Sequence, residues 1–319
     1  MDDATQNHDL NETDFRFTGL DFERMLGEKL AAHIHQKIKA YNFLYQPITQ
    51  IERDQLLKQI LLTLLDDTII AAGEHRYEQW EKGWSENLIS LSHKDIHKAI
   101  IPKYFGKYTA VRMEQKFIKS LSPNFEYNAL AVILDWLFSK YLRDAGSIYE
   151  FGCGTGYHLL RAREYNPTAA LWGLDWAEAS QKIIDQVSQR LRDNKLFAHK
   201  FNYFQPDYKF TLDPKSIVYT VASLEQVGTK FEEFVTYLIH NNPKLCIHVE
   251  PIAELLDENN LLDFLSIQYF KKRNYLSGFL PYLRKLERDG TIKILKCKRT
   301  NIGSLFIEGY SVVVWTPQV

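Results

Sequence analysis

The sequence predicts an α/β protein: a mostly parallel sheet flanked by helices, with a helical domain ahead of it. An apolar run, Ser147 to Phe151, enters Gly152-Cys153-Gly154-Thr155-Gly156, and a helical pattern follows from Tyr157. Short apolar runs then alternate with helical segments, as in strand–helix–strand crossovers. Before position 125 apolar residues recur at helical spacing and no strand alternation is convincing.

Each element has its own justification. Residues 1–14 are polar and acidic, and are expected to form a disordered tail. Residues 15–124 are expected to form the helical domain, serving as a substrate cap or a docking module. Its helical faces are Phe22-Met25-Leu26-Leu30, Ile34-Ile38-Tyr41 and Leu56-Leu57-Ile60-Leu61-Leu64. Pro102 to Tyr108 reads as the loop leaving it. A second domain spans 125–319 and opens with a helix from Phe125 to Leu142, Leu130, Ile133, Leu134, Leu137 and Tyr141 marking one face. Strands are expected over 147–151, 169–175, 197–203, 216–222 and 244–250. Helices fall at 156–166, 177–193, 229–241 and 257–268. Two closing strands, 291–295 and 305–315, are joined by a glycine-containing turn.

Composition narrows the classes. Of 319 residues, 45% are hydrophobic and 25% charged, which suits a globular chain with a sizeable core. A net charge of -1 supplies no field for nucleic acid or an anionic membrane. Three cysteines without metal-type spacing argue against a disulfide framework and a structural zinc, and no metal site is expected. The polar start lacks a signal-peptide pattern and no apolar run nears the roughly 18 residues of a membrane span, so a cytoplasmic location is expected.

The glycine turn is the most informative motif. Strand, glycine turn and helix bring backbone N–H groups close to an adenosine-bearing cofactor. The carboxylate of Glu150 suits a cofactor with a positive ammonium and sulfonium and would repel a pyrophosphate. Tyr157 stands where a dinucleotide site wants a small residue. A second strand ends at Asp175, about 20 residues on, where one carboxylate can accept from both ribose hydroxyls.

Glu150-Phe151-Gly152-Cys153-Gly154-Thr155-Gly156 resembles motif I of the class I S-adenosylmethionine-dependent methyltransferases. The resemblance covers about 125–319. It implies a Rossmann-like sheet of seven strands with the last hairpin antiparallel, and S-adenosylmethionine as cofactor. On that pattern Glu150, Gly152, Cys153, Gly154, Gly156, Asp175 and Trp176 would hold the cofactor. The family often has an Asp at the end of the third strand; here Asn202 is the first candidate to meet the adenine, with Tyr203 and Asp207 weaker ones. Trp80-Glu81-Lys82-Gly83-Trp84 and Lys272-Arg273-Asn274-Tyr275-Leu276 further resemble an arrangement in bacterial methyltransferases of sugars and secondary metabolites.

The acceptor side is read from strand ends. Oxygen acceptors need a base, because a neutral hydroxyl is a poor nucleophile. His248 is the expected base, with Glu250 or Glu225 orienting it or gripping hydroxyls. A histidine near a strand end is more often simply hydrogen-bonded. Trp80 and Trp84 would form a substrate wall, although paired tryptophans at helical spacing are usually core. Tyr269 and Arg273 would belong to a lid recognising an anionic or hydroxylated acceptor, with help from Arg299, Glu308 and Tyr310. Glu126 and its neighbours at the start of the 125–142 helix would close one side. No Asp/Asn-Pro-Pro-Tyr follows the fourth strand and no Pro-Cys nucleophile occurs, which sets aside two nucleic-acid-modifying classes. The expected function is methyl transfer to a small-molecule hydroxyl of a sugar or secondary metabolite. The alternatives are a protein or peptide methyltransferase docking through the helical domain, and a non-catalytic cofactor-binding partner.

Overall fold

The computed structural model describes residues 14–318 apart from 94 and 104. All but the last residue of the expected tail, together with Val319, lies outside them. The chain runs β1 (Phe15–Arg16), α1 (Gly19–Leu26), α2 (Ala32–Tyr41), β2 (Leu44–Pro47), α3 (Gln50–Leu65), α4 (Tyr77–Leu91), α5 (Ile96–Ala99), β3 (Ala110–Met113), β4 (Lys116–Ser120) and α6 (Phe125–Tyr141). It continues with β5 (Ser147–Phe151), α7 (Tyr157–Tyr165), β6 (Ala170–Asp175), α8 (Glu178–Leu191), β7 (Leu196–Lys200), β8 (Ile217–Val221), α9 (Glu232–Asn241) and β9 (Leu245–Glu250). Last come α10 (Leu261–Arg273), α11 (Phe279–Arg288), β10 (Ile292–Lys298), β11 (Ile302–Gly303) and β12 (Ser311–Pro317).

The larger sheet has seven strands in the order β10-β12-β9-β8-β5-β6-β7. Strands β5 to β9 are mutually parallel, and β12 runs antiparallel to both β9 and β10. The central strands are buried on both faces, which is why β5, β8 and β9 read as near-continuous apolar runs. Strand order reverses between β5 and β8, and the crevice at their carboxyl ends is where such sheets bind ligands.

The region 15–124 differs from the expected all-helical domain. Strands β1 to β4 join β11 in a five-stranded sheet of order β1-β2-β4-β3-β11. These strands are two to five residues long, too short for a visible alternation. Nor is this region walled off: one hydrophobic cluster runs from Phe22, Ile34 and Ile38 through α6 to Ile148, Ile247 and Val314. The helix α6 is buried nearly all round and stands between the two parts of that core.

The closing segment also departs from expectation. The helix α10 extends to Arg273, so Lys271, Lys272 and Arg273 sit in its last turn rather than in a loop. The helix α11 was not foreseen, and Leu305–Gly309 is a loop rather than strand. Arg112 anchors that loop. Its fully buried guanidinium donates to the carbonyls of Leu262, Leu305 and Phe306 and to Ser266 Oγ. Among the described residues no helix is long and apolar enough to cross a membrane, and no cluster of three or more His, Cys, Asp or Glu side chains is placed to hold a metal.

Candidate active site

The β5 strand delivers the chain into the glycine turn, and close contacts fix its residues. Gly152 and Gly154 have φ of 67° and 53°, in the left-handed region that favours glycine. A Cβ on Gly152 would lie 2.4 Å from the Ser223 side chain, and one on Gly154 would lie 2.7 Å from the Trp84 ring. The turn is therefore a cradle that a side chain would fill. Gly154 N–H donates to Asp175 Oδ2 at 2.9 Å and Ala177 N–H to Oδ1 at 2.9 Å, which fixes the carboxylate at the end of β6 beside the turn. Burial raises the Asp175 pKa to about 6 against the pull of these N–H donors, so it is ionised at neutral pH.

A slot opens here. It is lined by Gly152, Cys153, Gly154 and Thr155 from the turn, Asp175 and Trp176 from the end of β6, and Asn202 and Tyr203 beyond β7. Trp80 and Trp84 of α4 form its roof. The slot holds about 80 Å³, because the Trp84 indole lies across the glycine turn. Glu81, on the same helix, accepts from Ala179 N–H at 3.1 Å at the start of α8 and ties the roof down.

Three of the candidate cofactor residues sit elsewhere. Glu150 lies beneath the slot rather than in its wall: its buried carboxylate is bonded to His158 Nδ1 at 2.9 Å and accepts from Tyr219 Oη at 3.1 Å. The group reaching the slot from this pair is His158, on the first turn of α7. Gly156 caps α7 with φ of 71° and backs onto Ile184, so its role is to start the helix. Asp207 likewise lies outside the slot lining, 3.8 Å from His199.

A second chamber of about 450 Å³ adjoins the slot, within the size range of small-molecule sites. Trp80, Trp84, Ala222 and Gln226 line both spaces and so mark their junction. Ala222 holds φ of 45°, a strained conformation for a residue with a Cβ. The chamber brings together Trp80, Trp84, Tyr269, Arg273 and Glu225 from the expected set. Arg76 and Tyr275 join them, with Glu126 and Tyr310 opposite, where Tyr310 Oη donates to Glu126 Oε1 at 2.7 Å. Arg76 lies 5.2 Å from the Trp80 ring centroid and donates to Gln226 Oε1 at 2.7 Å. Gln226 in turn donates through Nε2 to Glu225 Oε1 at 2.9 Å. Burial, then the neighbouring Glu250, pushes the Glu225 pKa up to about 8.

His248 and Glu250 are not in either wall. The fully buried His248 ring lies beneath α11, 5.1 Å from the Phe279 ring centroid. Trp315 Nε1 donates to His248 Nε2 at 2.9 Å, and an indole N–H can only donate. The imidazole proton therefore sits on Nδ1 and is given to Thr220 Oγ1 at 3.0 Å. That leaves the threonine hydroxyl proton for Glu250, to which it is also bonded. Burial lowers the His248 pKa to about 3, so the ring is neutral. Expected as the base, His248 is instead a fixed link in a buried chain. Glu250 ends that chain by accepting from the backbone N–H groups of Ser223, Leu224 and Glu225 at 3.1–3.2 Å, which holds the single helical turn Leu224–Val227 at the junction. Arg299 and Glu308 pair with each other at 2.7 Å, and Arg299 with Asp263 at 2.6 Å, behind the chamber wall.

Sequence reasoning missed Arg76 and His158. The His158 signal was present, since it occupies the first turn of the helix that follows the glycines. Arg76 carried none, because only the fold brings the 74–76 turn to the end of α10, where Ala72 N–H donates to the Arg273 carbonyl at 2.6 Å.

No protein-family model matches the chain, and no curated protein sequence matches it. Among solved structures it is similar to the [4+2]-cyclase SpnF, with a TM-score of 0.50 at 11% identity over 78% of this chain and 98% of that one. It also matches magnesium protoporphyrin IX methyltransferase (ChlM) from Synechocystis PCC 6803, at a TM-score of 0.43 and 14% identity over 59% of this chain and 81% of that one. A third match is the O-methyltransferase NcsB1 from neocarzinostatin biosynthesis, at a TM-score of 0.40 and 10% identity over 60% and 57%. The order β10-β12-β9-β8-β5-β6-β7, with β12 antiparallel inside it and a glycine turn after the central strand, gives this chain the class I methyltransferase fold.

Proposed function

We propose that the protein is an S-adenosylmethionine-dependent methyltransferase acting on an oxygen nucleophile of a small molecule, such as a hydroxylated ring or sugar. The observation that carries this reading is the junction: a glycine-cradled slot and a chamber of small-molecule size share Trp80, Trp84, Ala222 and Gln226. The residues present fit the cofactor. Gly152 and Gly154 leave room at the turn, Asp175 is ionised with acceptor capacity for vicinal hydroxyls, and Asn202 and Tyr203 stand beyond β7. When bound, that cofactor supplies an electrophilic methyl on a sulfonium. His158, rather than Glu150, would face its polar end. Admission requires the Trp84 indole to move off Gly154.

This chain's own contribution is to position the acceptor and take its proton. Much of the rate of an in-line displacement comes from holding the nucleophile in place. Glu225 is the proposed base: it faces the chamber, Gln226 fixes its orientation, and its pKa of about 8 suits proton removal near neutral pH. The chamber volume of about 450 Å³ suits a small molecule.

The test is direct. The full chain is incubated with S-adenosylmethionine and a panel of hydroxylated small molecules, and release of S-adenosylhomocysteine is followed. Failure to bind either form of the cofactor by calorimetry would sink the reading. Since the fold is shared with a protein described as a [4+2]-cyclase, the second reading is a cofactor-binding catalyst or partner that transfers no methyl. Cofactor binding without release of the demethylated product on any acceptor would favour it.

A further inference from the structure

We infer that the second chamber takes an acceptor bearing a carboxylate, held between Arg76 and Arg273, with its ring among the aromatic walls. The inference rests on the reading of this chamber as the acceptor site. Arg76 is buried at 7% exposure, yet among the described residues no salt bridge involves it or Arg273. Its hydrogen bonds go to neutral amides, Gln79 Oε1 at 3.0 Å and Gln226 Oε1 at 2.7 Å. Arg273 has a buried Nε with no hydrogen-bond partner, and its guanidinium lies 5.3 Å from the Tyr275 ring centroid. The two cations face one chamber closely enough for Arg273 to depress the Arg76 pKa, the second cause after burial.

Neither guanidinium has a salt bridge, and Glu225, the carboxyl within electrostatic reach of both, is largely protonated at neutral pH, so the two cations repel each other until an anion lies between them. Planar forks of N–H donors match a carboxylate edge to edge. A monoanion suits the site better than a phosphate dianion, because Glu225 must give up its proton in the same chamber to act as the base. The rest of the lining is ring-shaped: Trp80, Trp84, Phe105, Tyr108, Tyr269 and Phe306 offer flat apolar faces. Of the two exposed lysines in the lining, Lys103 is paired with Glu86 at 3.1 Å, whereas Lys107 has no salt bridge among the described residues and adds to the positive field.

Binding tests this without any turnover. Calorimetry on the full chain with saturating S-adenosylhomocysteine compares 4-hydroxybenzoate with its methyl ester, and glucuronate with glucose, with phenyl phosphate as a further arm. The expected result is that at least one acid binds ten- to a hundredfold more tightly than its neutral counterpart, the range for charge-assisted hydrogen bonds. R273Q should erase that difference while leaving S-adenosylhomocysteine affinity unchanged, and R76K should reduce it without unfolding the chain. Equal affinity for acid and neutral partner, no binding of either acid, or phenyl phosphate binding tenfold tighter than the acids would each overturn the carboxylate assignment. Acid-selective binding with no methyl transfer on any acceptor would leave this site standing and remove the proposed reaction; methyl transfer with no acid preference would do the reverse.

Discussion

Replacing Arg112 with Met separates the acceptor chamber from the cofactor slot in one change. The side chain is fully buried, and its guanidinium holds the carbonyls of Leu262, Leu305 and Phe306 together with Ser266 Oγ. Burial lowers its pKa to about 10, still leaving it charged at neutral pH. A methionine fills similar space and removes every donor. Three buried carbonyls then lose a charged donor, each such bond being worth about 1.5–3 kcal/mol, and relief from burying the cation offsets part of the sum. The net loss is expected to be about 3–5 kcal/mol, a large share of the 5–15 kcal/mol that typically separates folded from unfolded chains. Thermal melting should fall by about 10 °C, taking roughly 2–4 °C per kcal/mol for a large chain. R112K keeps a charge but not the fork, and should lie between. The released loop carries Ser304, Phe306, Ile307, Gly309 and Tyr310, all of which line the second chamber and none the slot. The acceptor KM should therefore rise about tenfold, a loss of about 1.4 kcal/mol, while S-adenosylhomocysteine affinity by calorimetry stays within about twofold. Destabilisation below about 1 kcal/mol, or a parallel fall in cofactor affinity, would refute the anchoring role.

Other perturbations follow from the same geometry. G154A puts a methyl into the cradle the cofactor would fill, at a φ of 53°, and should weaken S-adenosylhomocysteine binding by about tenfold or more by calorimetry. E225Q should lower kcat by about 10²–10⁴, and the wild-type kcat/KM should climb with pH to a plateau above about 8, a limb the variant lacks. Because both Asp175 oxygens are pure acceptors only when the carboxyl is ionised, cofactor affinity should be flat above about pH 6 and fall below it, as a titration in several buffers would show. His248 is neutral when folded, with a pKa of about 3 against an ordinary 6.5, so the unfolded chain takes up a proton in between. Stability should fall as pH drops from 6.5 towards 3, by about 1.4 kcal/mol per unit from this group, and H248Q should flatten that slope in urea melts while retaining turnover.

The legible parts of the fold are those where burial writes itself into composition. The β5 strand and its turn are readable to the residue, because a strand covered on both faces must be apolar and a crowded turn must be glycine. The β3–β4 hairpin hid for the opposite reason. Its turn uses Glu114 and Gln115 at φ of 50° and 62°, positions where Asn-Gly or Asp-Gly would have announced it. At the site, Trp80, Trp84, Glu225, Tyr269 and Arg273 come together in one chamber, although Tyr269 and Arg273 sit on α10 and not in the expected lid. His248 was misplaced because the covering helix α11 was not foreseen, and without it the strand end looked open. The segment Leu305–Gly309 read as strand, whereas Phe306 and Ile307 face a chamber and the Leu305 and Phe306 carbonyls are held by Arg112.

One helix spans both rooms. Trp80 and Trp84, with ring centroids 5.6 Å apart on α4, belong to the ceiling of the slot and of the chamber alike. Any tilt of that ceiling for one guest alters the fit for the other, and linkage makes the influence equal in both directions. With Trp84 resting on Gly154, this shared shutter favours a fixed order of arrival: first the donor, which must lift it, then the molecule to be modified.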